Sequence, residues 1–145
     1  MTTDDTVIHR VLEAARTIAV VGASQNPERA SNYVMKFLQD QGYRTIPINP
    51  GLAGQTLWGE TVYASLAEAP GPFEMVDVFR PSAAAGAVVD EAIGLKDAKG
   101  IRSVWLQIGV IDEAAAERVR AAGLDIVMNR CPKVEFPRLI GRRVS

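Results

Sequence analysis

Two hydrophobic periods alternate along this chain. Five short runs, Thr17-Ile-Ala-Val-Val21, Arg44-Thr-Ile-Pro-Ile48, Met75-Val-Asp-Val-Phe79, Ser103-Val-Trp-Leu-Gln107 and Asp125-Ile-Val-Met128, are rich in β-branched residues and almost continuously apolar. That pattern predicts strands covered on both faces. Before and between them apolar positions recur at helical spacing. Val7, Val11, Leu12 and Ala15 predict a first helix, capped by Thr3 or Thr6, and Tyr33, Val34, Phe37 and Leu38 predict a second that Gly42 ends. Further helices are expected from Ser82, as cap, through Ile93, and from Asp112, as cap, through Ala122 to Gly123. The stretch from Leu52 to Gly71 is polar and glycine-rich, an extended loop with at most a short helix from Tyr63 to Glu68.

Strict strand–helix alternation specifies parallel strands joined by right-handed crossovers. The expected fold is a single α/β domain over residues 1–145, a Rossmann-like doubly wound sheet, most simply in the strand order 3-2-1-4-5. In that order the ligand crevice lies at the C-terminal ends of strands one and four. Two residues qualify the scheme. Pro47 cannot donate to a ladder, which argues for a position near the strand end or a partly unpaired side. Asp77, in the middle of the third, suits an edge strand better than a central one.

Composition narrows the function. With 145 residues and 48% hydrophobic positions the chain can build one core, and its formal charge of −1 offers no broad attraction to nucleic acid or an anionic membrane. An anionic ligand must therefore be held locally. A single cysteine, Cys131, excludes an internal disulfide framework, and the lone His9 leaves no Cys/His zinc spacing, so no metal site is expected. The N-terminal stretch carries Asp4, Asp5 and Glu13 and resembles neither a signal peptide nor a membrane span, and a reducing cytoplasm fits best.

The candidate chemistry lies in the loops after the strands. Gly22-Ala-Ser-Gln-Asn-Pro27 stands where a dinucleotide enzyme has its G-x-G-x-x-G turn, so backbone N–H groups and a helix N-terminus can face phosphate. Ser24 and Pro27 replace the second and third glycines, and Asn49-Pro50 stands where an acidic residue would bind the ribose of NAD. Both departures argue against NAD(P). Arg80, in Arg80-Pro81-Ser82 after strand three, and Arg29, at the approach to the second helix, are candidate phosphate partners. Gln107-Ile-Gly109-Val follows strand four, where the glycine lets a ligand pass close to the backbone, and Asn129-Arg130-Cys131-Pro132 follows strand five. Trp105 reads as core.

Taken together, Val20-Val-Gly-Ala-Ser24, Pro47-Ile-Asn-Pro50, Val76-Asp-Val-Phe-Arg-Pro81, Val104-Trp-Leu-Gln-Ile-Gly109 and Asn129-Arg-Cys131 resemble the small stand-alone CoA-binding proteins. That family is similar to the N-terminal CoA-binding domain of the succinyl-CoA synthetase α subunit and of ADP-forming acyl-CoA synthetases. The resemblance implies coenzyme A as cofactor. It would place Gly22, Ala23 and Ser24 with Arg29 and Ser31 on the nucleotide's phosphates, and Asn49, Pro50, Phe79, Arg80 and Pro81 around the adenosine and phosphate region. Gln107 to Gly109 would line the pantetheine path. The synthetase domain carries a lysine shortly after its Thr-Pro-Gly turn, whereas Asn49-Pro50-Gly51 is followed here by Leu52.

The synthetases form thioesters with a phosphorylated histidine in a further domain. Here His9 sits on the first helix with no paired carboxylate, and no nucleophile–base pair is recognisable, so no catalytic residue is assigned. Cys131 is either a small buried hydrophobe or a thiol able to form a mixed disulfide with CoA. The expected function is a non-catalytic module that binds CoA or acyl-CoA and carries, senses or delivers it to a partner protein. The alternative is an NAD(P)-dependent oxidoreductase or redox sensor on the same fold. A phosphoacceptor receiver domain would need acidic residues after strands one and three, where Gly22 and Arg80 stand.

Overall fold

The structure, a computed structural model, describes residues 4–141. In chain order its elements are α1 (Asp5–Ala14), β1 (Thr17–Val21), α2 (Ala30–Asp40), β2 (Arg44–Ile48), a 3-10 turn (Pro50–Leu52), β3 (Thr56–Leu57), β4 (Glu60–Thr61) and β5 (Met75–Val78), followed by α3 (Ser82–Gly94), α4 (Lys96–Lys99), β6 (Ser103–Leu106), α5 (Glu113–Ala121), β7 (Asp125–Met128) and α6 (Pro132–Leu139). Five strands form one parallel sheet in the order β2-β1-β5-β6-β7.

The near-continuous apolar runs are explained by helices on both faces. Ala19, Val21, Ile46, Val76, Val78, Val104 and Leu106 face one way, onto Ala85, Val89 and Ala92 of α3 and Ala115, Ala116 and Val119 of α5. Ile18, Val20, Met75, Trp105 and Val127 face the other, onto Ile8 and Leu12 of α1, Val34, Met35 and Leu38 of α2, and Phe136 of α6. Trp105 is fully buried, and its Nε1 donates to the Arg130 carbonyl at 2.8 Å. It is core, as its position suggested.

The Rossmann-like class holds, but the strand order differs from the expected 3-2-1-4-5. Counting only the sheet's own strands, the order is 2-1-3-4-5, the other common doubly wound arrangement. Pro47 supplies the reason. It stands opposite Val20, yet its carbonyl accepts from Tyr63 N–H at 3.0 Å on the side away from β1, and Tyr63 forms only an isolated bridge there. A proline whose absent N–H points outward leaves β2 an edge, so the third strand joins on the far side of β1. Asp77 consequently sits on β5, the middle strand, and not on an edge. The switch point, and with it the crevice, moves from strands one and four to β1 and β5.

Several local expectations change as well. Asp4, not Thr6, caps α1 by accepting from the Thr6 N–H at 2.7 Å, and Thr3 lies outside the described residues. Ser82 is the first residue of α3 and does not cap it. Asp112 does cap α5, accepting from Ala115 N–H at 3.0 Å. The loop after β2 contains a β3–β4 hairpin turning at Trp58-Gly59, both at positive φ (49° and 80°), the geometry of a two-residue primed turn. Glycine supplies one such position; Trp58 accepts the strained one. Helix α6, which begins at Pro132 and contains Pro137, was not expected.

Candidate functional site

At the C-terminal ends of β1, β5 and β6 a cleft of about 600 Å³ opens, lined from β1 by Gly22, Ala23 and Ser24, from α2 and its approach by Arg29, Ala30 and Ser31, and from β2 by Asn49. Phe79, Arg80 and Pro81 line it from β5, and Gln107, Ile108 and Val110 from β6. Ten of the thirteen residues singled out from sequence thus converge. Pro50, Gly109 and Asn129 do not line the cleft. Asn129 instead braces the wall: at φ 61° its Oδ1 accepts from the Gly109 N–H at 2.8 Å, fixing the β6–α5 loop from behind. Ser82 Oγ steadies the same loop, donating to the Gly109 carbonyl at 3.2 Å and accepting from Ile111 N–H at 2.9 Å.

The first wall is fixed by sterics. Gly22 has φ +88°, and a Cβ there would lie 2.4 Å from the Phe79 carbonyl oxygen, so only glycine lets the β1 and β5 loops meet. The N–H groups of Gly22 and Ala23 both donate to the Ile48 carbonyl, at 3.0 and 3.2 Å. Asn49 Nδ2 donates to the Ala23 carbonyl at 2.8 Å while its Oδ1 accepts from Gly51 N–H, so both ends of this carboxamide serve the protein. Asn32, which sequence reasoning missed, donates from Nδ2 to the Ser24 carbonyl at 2.8 Å, and Trp58 Nε1 donates to Asn32 Oδ1 at 3.3 Å. The available signal was Asn32's place in the first turn of a helix whose neighbouring face is apolar; the contribution of Trp58 depends on the hairpin folding back over α2.

These braces spend the Gly22 and Ala23 N–H groups, which the sequence had pointed to as phosphate donors, and leave others free. Among the described residues the N–H groups of Ser24, Ala30 and Ser31 make no hydrogen bond, and α2 has no side-chain cap. An uncapped helix N-terminus carries a positive partial charge. Arg29 and Arg80 are exposed, and among the described residues neither guanidinium has an ion-pair or hydrogen-bond partner. Among the described residues the cleft lining holds no His, Cys, Lys, Asp or Glu. Main-chain donors, two hydroxyls and two arginines equip it to hold an anion.

Three further residues singled out from the sequence lie outside the cleft. His9 is exposed on α1, and Cys131 is 7% exposed, in the core layer with Phe136, away from the cleft lining. Asp77 is fully buried in the layer of Val20 and Trp105, neither oxygen has a hydrogen-bond partner among the described residues, and burial pushes its carboxyl well above the ordinary range. Among the described residues no group of three or more His, Cys, Asp or Glu is placed to hold a metal, and no helix is long and apolar enough to cross a membrane.

Residues 16–137 match the model of a family described as a CoA binding domain. The chain belongs to that family. This CoA-binding-domain protein is 36% identical over 127 residues to the uncharacterized protein YneT of Bacillus subtilis, covering 88% of this chain and 90% of that one. A solved Thermus thermophilus protein is 37% identical with a TM-score of 0.87, covering 95% of this chain and all of that one. A hypothetical protein from Pyrococcus horikoshii is 37% identical with a TM-score of 0.86, covering 96% of this chain and 94% of that one. A dinucleotide-forming acetyl-coenzyme A synthetase of Ca. Korarchaeum cryptofilum shares the fold, with a TM-score of 0.68 over 84% of this chain and 28% of that one at 20% identity.

Proposed function

We propose that this protein binds coenzyme A or an acyl-CoA in the β1/β5 cleft as a non-catalytic module that carries, senses or delivers the cofactor in the cytoplasm. The observation that carries the reading is the set of unspent donors around one cleft: free N–H groups at Ser24, Ala30 and Ser31, with unpaired Arg29 and Arg80 beside them. A helix N-terminus contributes only about 0.3–1 kcal/mol toward an anion, so the arginines supply the larger share for a diphosphate. Membership of the CoA binding domain family identifies which phosphate-bearing ligand to test.

The cleft's inventory supports the non-catalytic reading. Among the described residues its side-chain hydroxyls are those of Ser24 and Ser31, and no base lines it to activate them. Against NAD(P), the end of β2 offers no carboxylate, and the carboxamide of Asn49 is already engaged at both ends.

Calorimetric titration with CoA, acetyl-CoA and NAD in parallel tests the reading. CoA and acetyl-CoA should bind and NAD should not. Arg80→Ala should weaken CoA by about 1.5–3 kcal/mol, a hydrogen bond to a charged group, with the fold intact because Arg80 is exposed. Binding of NAD alone would put an oxidoreductase or redox sensor in its place.

A further inference from the structure

The loop after β1 is held from two sides by the same device. The carbonyls of Ala23 and Ser24, successive in the chain, each accept from an asparagine Nδ2 at 2.8 Å, the first from Asn49 and the second from Asn32. In each carboxamide the oxygen faces a group that can only donate: the Gly51 N–H for Asn49, and the Trp58 indole Nε1, at 3.3 Å, for Asn32. A donor on the oxygen fixes the sense of the amide, so its NH₂ must face the loop carbonyl. The two cases differ in origin. Gly51 lies two residues from Asn49, whereas Trp58 reaches Asn32 from the β3–β4 hairpin, 26 residues along the chain. Asn32 is 3% exposed, so without the indole its Oδ1 would be buried and unsatisfied. Trp58 is itself held in an unfavourable conformation. A bulky side chain at φ 49° is an outlier in the left-handed region, where a primed turn takes glycine or asparagine. Its carbonyl accepts from Gln39 Nε2 at 3.0 Å, Lys36 Nζ stands 5.6 Å from its ring centroid, and just before β3 Gln55 Oε1 accepts from Gln25 Nε2 at 2.5 Å. The indole is 42% exposed and does not line the cleft, so burial of the ring does not account for the strain. Strain of this kind persists where surrounding contacts over-determine it, and it points to function.

We propose that Trp58 is a positioning residue for the anion-binding loop, acting through Asn32: its indole N–H sets the sense of the Asn32 carboxamide, which draws the Ser24 carbonyl onto α2. The inference rests on the CoA reading above and adds to it a control from outside the cleft, since neither Trp58 nor Asn32 lines it. Ser24 is where orientation matters. Its N–H is one of the free donors and its side chain stands in the lining, whereas its carbonyl oxygen carries the opposite partial charge. Without the Asn32 NH₂ that carbonyl is free to turn with its peptide toward the cleft. An oxygen there repels a phosphate that an N–H would attract.

CoA and inorganic pyrophosphate are titrated into wild-type protein, Trp58→Phe, which keeps a ring under Lys36 and loses the donor, Asn32→Ala, and the double variant. Trp58→Phe should weaken both ligands about three- to tenfold, the equivalent of one uncharged hydrogen bond. In the Asn32→Ala background the same substitution should change neither, because the group it acts through is gone. Unchanged affinity in Trp58→Phe, whatever its Tm, would reduce the indole to a structural contact and overturn the proposal. Equal losses in the two backgrounds would overturn it too, since Trp58 would then act by another route. Wild-type protein gives a reading without substitution. Of its two indole N–H resonances, that of Trp58, recognised by its nuclear Overhauser contact with Asn32, should shift on saturation with CoA although the ring lies outside the cleft, and an unmoved signal would overturn the proposal. Wild-type protein that binds pyrophosphate and not CoA would overturn the CoA reading and leave the positioning role to the pyrophosphate titrations; binding of neither would overturn both.

Discussion

Gly22 offers the sharpest test of how the cleft is built, because a second glycine serves as its control. Gly22→Ala places a Cβ 2.4 Å from the Phe79 carbonyl oxygen at φ +88°. Gly109→Ala places one at φ +84° with nothing within 4 Å. Both variants incur the left-handed backbone penalty, about 1–2 kcal/mol, and both restrict the unfolded chain alike. Only Gly22→Ala must also push the β5 loop aside, an overpacking cost of about 1–3 kcal/mol. The difference between the two variants should therefore be about 1–3 kcal/mol, or roughly 3–12 °C in Tm for a chain of this length. Urea and thermal unfolding of the pair would measure it. Because the displaced carbonyl belongs to the residue before Arg80, CoA affinity should fall for Gly22→Ala and hold for Gly109→Ala. Equal destabilisation of the two would refute the idea that close approach of the β1 and β5 loops, and not φ alone, demands glycine.

Other consequences can be checked with the same methods. Burial raises the native Asp77 pKa above its ordinary 3.8, so the native state binds more protons than the unfolded chain above that pH, and stability is lost as pH rises toward the raised value. Asp77→Asn should remove this slope, gaining on wild type by up to about 1.4 kcal/mol per pH unit from pH ~4 upward in urea melts; parallel profiles would refute it. Asn129→Gly should cost about 0.5–1.5 kcal/mol, the hydrogen bond to Gly109, and Asn129→Ala about 1 kcal/mol more for the left-handed backbone; the reverse ranking by urea midpoint would contradict it. CoA at about 100 times its dissociation constant should add roughly 2.7 kcal/mol to unfolding, read as a rise in Tm, and no protection would count against the CoA reading.

Much of this protein was legible in its sequence, and for local reasons. Five apolar, β-branched runs determined five strands buried on both faces, and helical spacing between them determined the α/β class, because both signals depend only on which side chains lie near in the chain. The cleft residues were legible for the same reason: Gly22, Ser24, Phe79, Arg80 and Gln107 follow strand ends, and any parallel sheet brings those ends to one edge. What only the tertiary structure decided was the arrangement of those ends. Strand order depends on which edge remains free to bond, a long-range matter settled by the outward-facing Pro47 on β2. Asp77, taken alone, argued for an edge and misled, since the core has accepted it buried and unpartnered on the middle strand. The hairpin at Trp58 runs against turn preference, and α6 runs against the helix-breaking tendency of Pro137; packing over α2 and against α1 holds each in place. Asn129 and Gly109 left the cleft for the same reason: in three dimensions their hydrogen bond lies behind its wall and not within it.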